Sequence, residues 1–284
     1  LFATYAAARG AVIEDVMPVI KKGNKPLEMN KKNVVVIIME SMATEYYGFY
    51  NDYKGYTPFL DSLFKESYTS YLSYSNGSKS IDAIPSILAS IPAETKFHFA
   101  LSKYCTNNIQ GIGNLLEKQG YTASFFHGAP NGSMGFESIT KLCGIENYYG
   151  MNEYANKKDF DGLWGIWDHK FLSYYAKSLN TFTEPFFSSI FTLSSHHPFI
   201  IPKEFKNKFK KGKNPMYKCV QYTDYSLKLF FNNIKKQEWY NNTLFVITAD
   251  HTNTSSNKEY KTSNGIFKVP IVFFDPNNDT LRGI

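Results

Sequence analysis

The sequence predicts an α/β protein with a mostly parallel central sheet and helices on both faces. Three observations predict it. Short runs of β-branched and aromatic residues recur along the chain, apolar at consecutive positions, as strands buried on both faces are. Stretches with helical spacing separate them, and that alternation makes successive strands parallel. Several of the runs stop abruptly at an acid or a histidine, at the strand ends where open α/β sheets bind ligands.

Residues 1–30 read as a helical lead-in, "LFATYAAARG", and a polar linker; residues 31–284 read as one α/β domain. "VVVIIM" (Val34 to Met39) is the first strand. "TPFLDSLFKES" (Thr57 to Ser67) has helical spacing, with Thr57 as a cap and Pro58 at the first helical position, where its missing N–H costs nothing. "SILASI" continues a second helix. "IGNLLEKQGY" is a helix ended by Gly120, and "TASFF" (Thr122 to Phe126) comes next as a strand. "FFSSIFTL" (Phe186 to Leu193) is another strand. "YTDYSLKLFFNNIKKQ" is an amphipathic helix leading into the strand "TLFVITA", and "VPIVFF" (Val269 to Phe274) is the last strand.

Composition narrows the possible roles. The chain has 284 residues, long enough for a large core, and is rich in aromatics, with 21 Tyr and 24 Phe. The net charge of +6 is mild. Its densest basic run, "KNKFKKGK" (Lys206 to Lys213), reads as an exposed loop, and no nucleic-acid motif accompanies it. Cys105, Cys143 and Cys219 make no disulfide framework, although one bridge is open to them. No stretch reaches the roughly 18 apolar residues that span a bilayer. The start lacks an initiator Met, and the expectation is a fragment with membrane helices upstream of Leu1.

The chemistry is carried by the residues just past each strand. The first strand runs into Glu40, "TASFF" into His127, "FFSSIFTL" into His196 and His197, and "TLFVITA" into Asp250 and His251. One histidine after a strand is ordinarily a hydrogen-bonded loop residue. Four strands delivering such residues to one edge point to a divalent-cation site, whose carboxylates and imidazole suit Zn²⁺ or Mn²⁺. A nucleophile is offered by "NGSKSIDAIPSILASI" (Asn76 to Ile91), where a Gly-containing turn leads into an apolar helix. Ser80 at that helix start is either a plain N-cap or a hydroxyl placed where helix-start amides favour a bound phosphate or sulfate. Pro85 is tolerable there if it falls in the first turn.

Taken as an ordered set, these residues resemble the alkaline phosphatase superfamily, in its lipoteichoic acid synthase-like, sulfatase-domain branch. The resemblance rests on "VVVIIMES", "SKSID", "FFHG", "TLSSHHPF" and "ITADH", over roughly residues 33 to 275. It implies an α/β/α sandwich. It implies that Glu40, Asp250 and His251 bind one divalent metal, Mn²⁺ or Zn²⁺ rather than Mg²⁺, with the Ser80 oxygen as fourth ligand and nucleophile. It places His196 and His127 on the substrate side, with His197 where the family often has an aromatic residue. Asn131, in "HGAPNGSMGF", is a further substrate-side candidate.

Departures from the family shape the expected reaction. Met134 and Phe136 stand where the synthases have Trp and Arg, so an arginine fork for phosphate is missing there. The segment that true sulfatases mature to formylglycine is absent, since Ser80 is succeeded by Ile81 and Asp82. The chain stops just after its last strand, which suggests that a C-terminal portion of the family domain is missing.

The first expectation is therefore a metal-dependent transferase that moves a phospho-alcohol headgroup from a phospholipid to a cell-envelope acceptor, on the periplasmic or outer face of the membrane. A phosphate or sulfate ester hydrolase of the same fold is the alternative. A catalytically inactive metal-binding module is the rival from another class; a pure scaffold has no need of Ser80.

Overall fold

A computed structural model of the chain describes residues 31–93, 97–279 and 282. The expected lead-in at residues 1–30 lies outside the described residues.

The sheet has seven strands: β1 (Asn33–Met39), β2 (Tyr68–Thr69), β3 (Thr122–His127), β4 (Asn147–Tyr149), β5 (Phe186–Phe191), β6 (Thr243–Ala249) and β7 (Ile271–Phe274). Their order is β2-β7-β6-β1-β5-β3-β4. The five strands from β6 to β4 run parallel, and β7 and β2 add antiparallel pairings at one side. The sheet is thus mostly parallel, as expected. β2 and β4 are two and three residues long, too short to leave a periodic trace.

Six α-helices cover the sheet: α1 (Pro58–Phe64), α2 (Ser80–Ala89), α3 (Ile112–Glu117), α4 (Phe136–Leu142), α5 (Asp168–Leu179) and α6 (Met216–Ile234). Side chains of a strand alternate between faces, and the two apolar clusters divide accordingly. Val35, Ile37 and Met39 of β1 pack with α1, α5 and α6; Val36 and Ile38 pack with α2, α3 and α4. The architecture is an α/β/α sandwich. Its aromatic residues are concentrated in the first cluster, where Phe126 stacks on Tyr149 at 4.4 Å and meets Tyr175 at 4.6 Å. Truncating Phe126 to Ala would cost about 3–5 kcal/mol.

Several element boundaries differ from expectation, each for a local reason. α6 begins at Met216, six residues before the predicted Tyr222, directly after Pro215. β5 stops at Phe191, two residues short of Leu193, because the Thr192 hydroxyl turns to accept the Glu40 N–H at 3.0 Å. Pro58 is the first residue of α1, but Thr57 makes no capping bond. The cap is the buried Asp224 of α6, whose carboxylate accepts the N–H groups of Phe59 (3.2 Å) and Leu60 (2.8 Å). Pro85 sits in the second turn of α2, not the first. All three cysteines are free.

Candidate active site

β1 and β6 are hydrogen-bonded neighbours, and Met39 pairs with Ala249 at their last rung. The next residues, Glu40 and Asp250, therefore leave the sheet side by side. The Asp250 N–H donates to the Met39 carbonyl at 3.2 Å, which extends the ladder by one bond. Glu40 is clamped from β5 as well: besides the Thr192 contact, the Ser195 hydroxyl donates to its carbonyl at 2.5 Å.

Ser80 reaches this edge from α2. The turn before it needs Gly77, whose φ is +106° and whose missing Cβ would lie 2.8 Å from that of Asp82. Lys79 is the N-cap and Ser80 the first helical residue. The hydroxyl does not cap the helix. It donates to Glu40 Oε2 at 3.1 Å and lies 3.3 Å from His251 Nε2. The plain N-cap reading of Ser80 is thereby replaced.

Glu40, Asp250 and His251 each offer a ligand atom within 4.8 Å of the others, and all three are buried, as is Ser80. The His251 Nδ1 lies 2.7 Å from the Thr252 carbonyl. A carbonyl accepts only, so Nδ1 carries the proton, and in the neutral ring Nε2 presents a lone pair. That lone pair faces Asp250 Oδ2 at 3.1 Å and Glu40 Oε1 at 3.7 Å. Asp250 Oδ1 accepts two N–H groups, from Ser41 and His251, each at 2.7 Å. Its Oδ2 is buried without a hydrogen-bond partner among the described residues. Burial, with the Glu40 carboxylate beside it, holds the Asp250 carboxyl well above the usual range. Converging acceptors with an orphaned oxygen among them are the condition that a bound cation relieves. The donor set of two carboxylates, an imidazole and a hydroxyl fits a divalent ion.

The remaining sequence-predicted residues lie outside this cluster. His127 is the last residue of β3, buried between Phe191 (5.1 Å, stacked) and Phe136 (5.2 Å, edge-on). Its Nδ1 is 3.5 Å from the Tyr148 hydroxyl, and burial lowers its pKa to about 3. His196 is half-buried in the turn after β5 with its ring 4.0 Å from that of Trp164. His197 is exposed, and its carbonyl accepts the Trp164 Nε1 proton at 2.7 Å. Asn131, in the loop after β3, is tied to the loop after β4: its amide donates to Glu153 at 3.1 Å and its oxygen accepts the Asn152 N–H at 3.3 Å.

Sequence reasoning missed the residues that hold the cluster in shape. Ser41, left-handed at φ 57°, donates its hydroxyl to Glu40 Oε1 at 2.5 Å and accepts from Asn253 at 3.2 Å. Asp168 accepts the N–H groups of Leu193 and Ser194 and so fixes the turn that carries His196. Trp164 supports that turn from outside. The small polar letters after each strand, "ES" and "TLSS", were the available signal.

A family model described as "Sulfatase" matches residues 32–280. Lipoteichoic acid synthase 2 of Bacillus subtilis (strain 168) is 26% identical over 259 residues, 86% of this chain and 39% of that protein. The chain thus spans about two fifths of that relative's length. Among solved structures, an alkaline phosphatase superfamily protein from Vibrio parahaemolyticus superposes with a TM-score of 0.78 at 24% identity, over 88% of this chain and 61% of that one. The lipoteichoic acid synthase LtaP from Listeria monocytogenes does so with a TM-score of 0.76 at 18% identity, over 87% and 66%.

Proposed function

The chain belongs to the sulfatase family, an enzyme family of the alkaline phosphatase superfamily, and on that premise we propose that residues 31–284 form the catalytic domain of a metal-dependent phospho-headgroup transferase. The observation that carries this reading is the Ser80 hydroxyl, held between Glu40 and His251 at the first residue of a helix. A scaffold has no use for a buried hydroxyl at that point.

Glu40, Asp250, His251 and Ser80 would hold one Mn²⁺ or Zn²⁺, which when bound lowers the pKa of the Ser80 hydroxyl and offsets charge on the phosphoryl oxygens. The rest of the chemistry belongs to the chain. Ser80 Oγ gives up its proton, with Glu40 Oε2 in line to receive it, and attacks the phosphorus of a phospholipid diester. The positive end of α2 lies at the attacking oxygen and favours the phosphoryl group. The bond to the departing lipid alcohol breaks, and that alkoxide takes a proton from a general acid. His196 suits this role better than His127, which is neutral near pH 7 because of its burial. The phosphoseryl group then passes to an acceptor hydroxyl of the cell envelope, or to water; His196 takes the acceptor's proton, the bond from phosphorus to Ser80 Oγ breaks, and Glu40 returns its proton to Ser80. His127, His197 and Asn131 remain proposed substrate-side residues. The reading places the site on the periplasmic or outer face of a membrane.

A phosphate or sulfate ester hydrolase uses the same residues with water as acceptor. An activity screen on bis-p-nitrophenyl phosphate, a phosphate monoester and a sulfate ester, beside transfer from a labelled phospholipid, separates the two. A metal-loaded protein that turns over none of these substrates overturns both and leaves a binding module.

A further inference from the structure

The basic run at Lys206–Lys213 takes no part in the site described above. It belongs to an exposed segment, residues 203–213, with six lysines, no arginine and a single acid, Glu204. So lysine-rich a loop would be expected to splay into solvent, yet this one is fastened to α6. Phe205 and Phe209 pack on Tyr222 and Tyr225, with ring centroids 5.6–6.3 Å apart. The backbone of Lys210 exchanges two hydrogen bonds with the Gln221 side chain, at 3.1 and 2.8 Å. The Lys218 ammonium donates to the Lys206 carbonyl at 2.8 Å, and that of Lys208 lies 3.2 Å from the centre of the Tyr225 ring. The backbone that carries the charges is held as a fixed plate.

Beside the plate opens a cavity of about 820 Å³, lined by Tyr56, Phe59, Phe209 and Tyr225 with Lys54, Lys210 and Lys228. Asp224, the one acid in that lining, is buried and caps α1. None of these three lysines is in an ion pair among the described residues. The plate is joined at both ends to the loops that carry the candidate site. Its segment continues from the turn at Ser195–His197, and Asn214, just beyond it, donates to Ser256 in the loop after His251 at 3.3 Å.

We propose that this lysine plate docks the protein on an anionic lipid bilayer, with the site beside it facing the membrane surface. Lysines without arginine suit attraction to a field of headgroups better than bidentate recognition of one phosphate. The proposal borrows from the transferase reading only the idea that the substrate resides in such a bilayer.

Vesicle co-sedimentation of the 284-residue chain tests it, with phosphatidylglycerol–phosphatidylcholine vesicles against pure phosphatidylcholine, at low and high salt. The chain should bind the anionic vesicles alone and release them at high salt. Near an anionic surface each lysine is worth about fivefold in affinity, so a Lys208→Gln/Lys210→Gln/Lys211→Gln variant should bind roughly a hundredfold more weakly. A Lys235→Gln/Lys236→Gln control at the other end of α6 should bind nearly as the parent. Equal binding by the triple variant, an equal loss in the control, binding to neutral vesicles, or binding to a soluble polyanion but to no vesicle would each overturn the proposal. The same preparations, loaded with metal, are assayed on the diester, the monoester, the sulfate ester and the labelled phospholipid named above. If the parent fails there while the vesicle results hold, the transferase reading falls and the docking face stands; the opposite pattern overturns docking alone.

Discussion

Ser41 and Asp250 are joined by a 2.7 Å hydrogen bond from the Ser41 N–H to Asp250 Oδ1, made from a left-handed backbone that serine seldom adopts. That conformation also points the Ser41 hydroxyl at Glu40. One strained residue thus orients both carboxylates, and strain of this kind persists where the surroundings over-determine it.

Ser41→Ala should keep the fold and weaken divalent-metal binding by about 10–100-fold, as loss of a ligand-orienting partner does. Calorimetric titration of Mn²⁺ or Zn²⁺ into metal-stripped protein reads this directly. Unchanged affinity would show that the Glu40 carboxylate is held without the hydroxyl.

Ser80→Ala should lower turnover on the order of 10³-fold or more, since a covalent step has no substitute. Ser78→Ala and Ser86→Ala should stay within about tenfold of the parent by comparison with that loss. Mass spectrometry of a trapped intermediate should find phosphate on Ser80. Near-normal turnover in Ser80→Ala would point instead to an activated water.

His196→Ala should slow turnover and leave metal content at the parental level, because the imidazole lies on the turn after β5, outside the cluster. Elemental analysis beside kinetics separates the two effects. Loss of metal in this variant would make His196 a ligand.

Asp224 gives a pH signature unrelated to the site. Burial pushes its pKa up to about 7, outweighing the two α1 amides that favour the charged form. In the unfolded chain the carboxyl titrates near 4, so the folded state holds the proton more tightly. The stability this confers is complete below about pH 4 and is lost as pH rises through about 7. Denaturation curves at several pH values should show the parent losing up to ~4 kcal/mol relative to Asp224→Asn across that window, with a flat difference above it. A constant difference at all pH values would refute the assignment.

How much of this was legible in the sequence depends on where the determinants sit. β1, β3, β5 and β6 announce themselves because burial on both faces makes their letters mostly apolar, with only small hydroxyl residues such as Ser188 and Ser189 between. Glu40, Asp250 and His251 break that pattern at the strand ends, so the converging ligand atoms could be named. The cap of α1 was unreadable, since Asp224 stands 164 residues from Leu60 and acts only across the fold. Helix α5 carried a readable stripe at Phe171, Leu172, Tyr175 and Leu179, but no capping letter precedes its Trp167. Ser41, Thr192 and Ser195 are small polar residues just past the strand ends, where no periodicity marks them.

The cluster is assembled from two separate parts: β1 and β6 supply Glu40, Asp250 and His251, while Ser80 arrives on α2. The hydroxyl makes no capping bond that the helix depends on. A different attacking atom could therefore be installed through one codon, with the carboxylate cage inherited intact. Such modularity lets a lineage change its chemistry without first rebuilding its sheet.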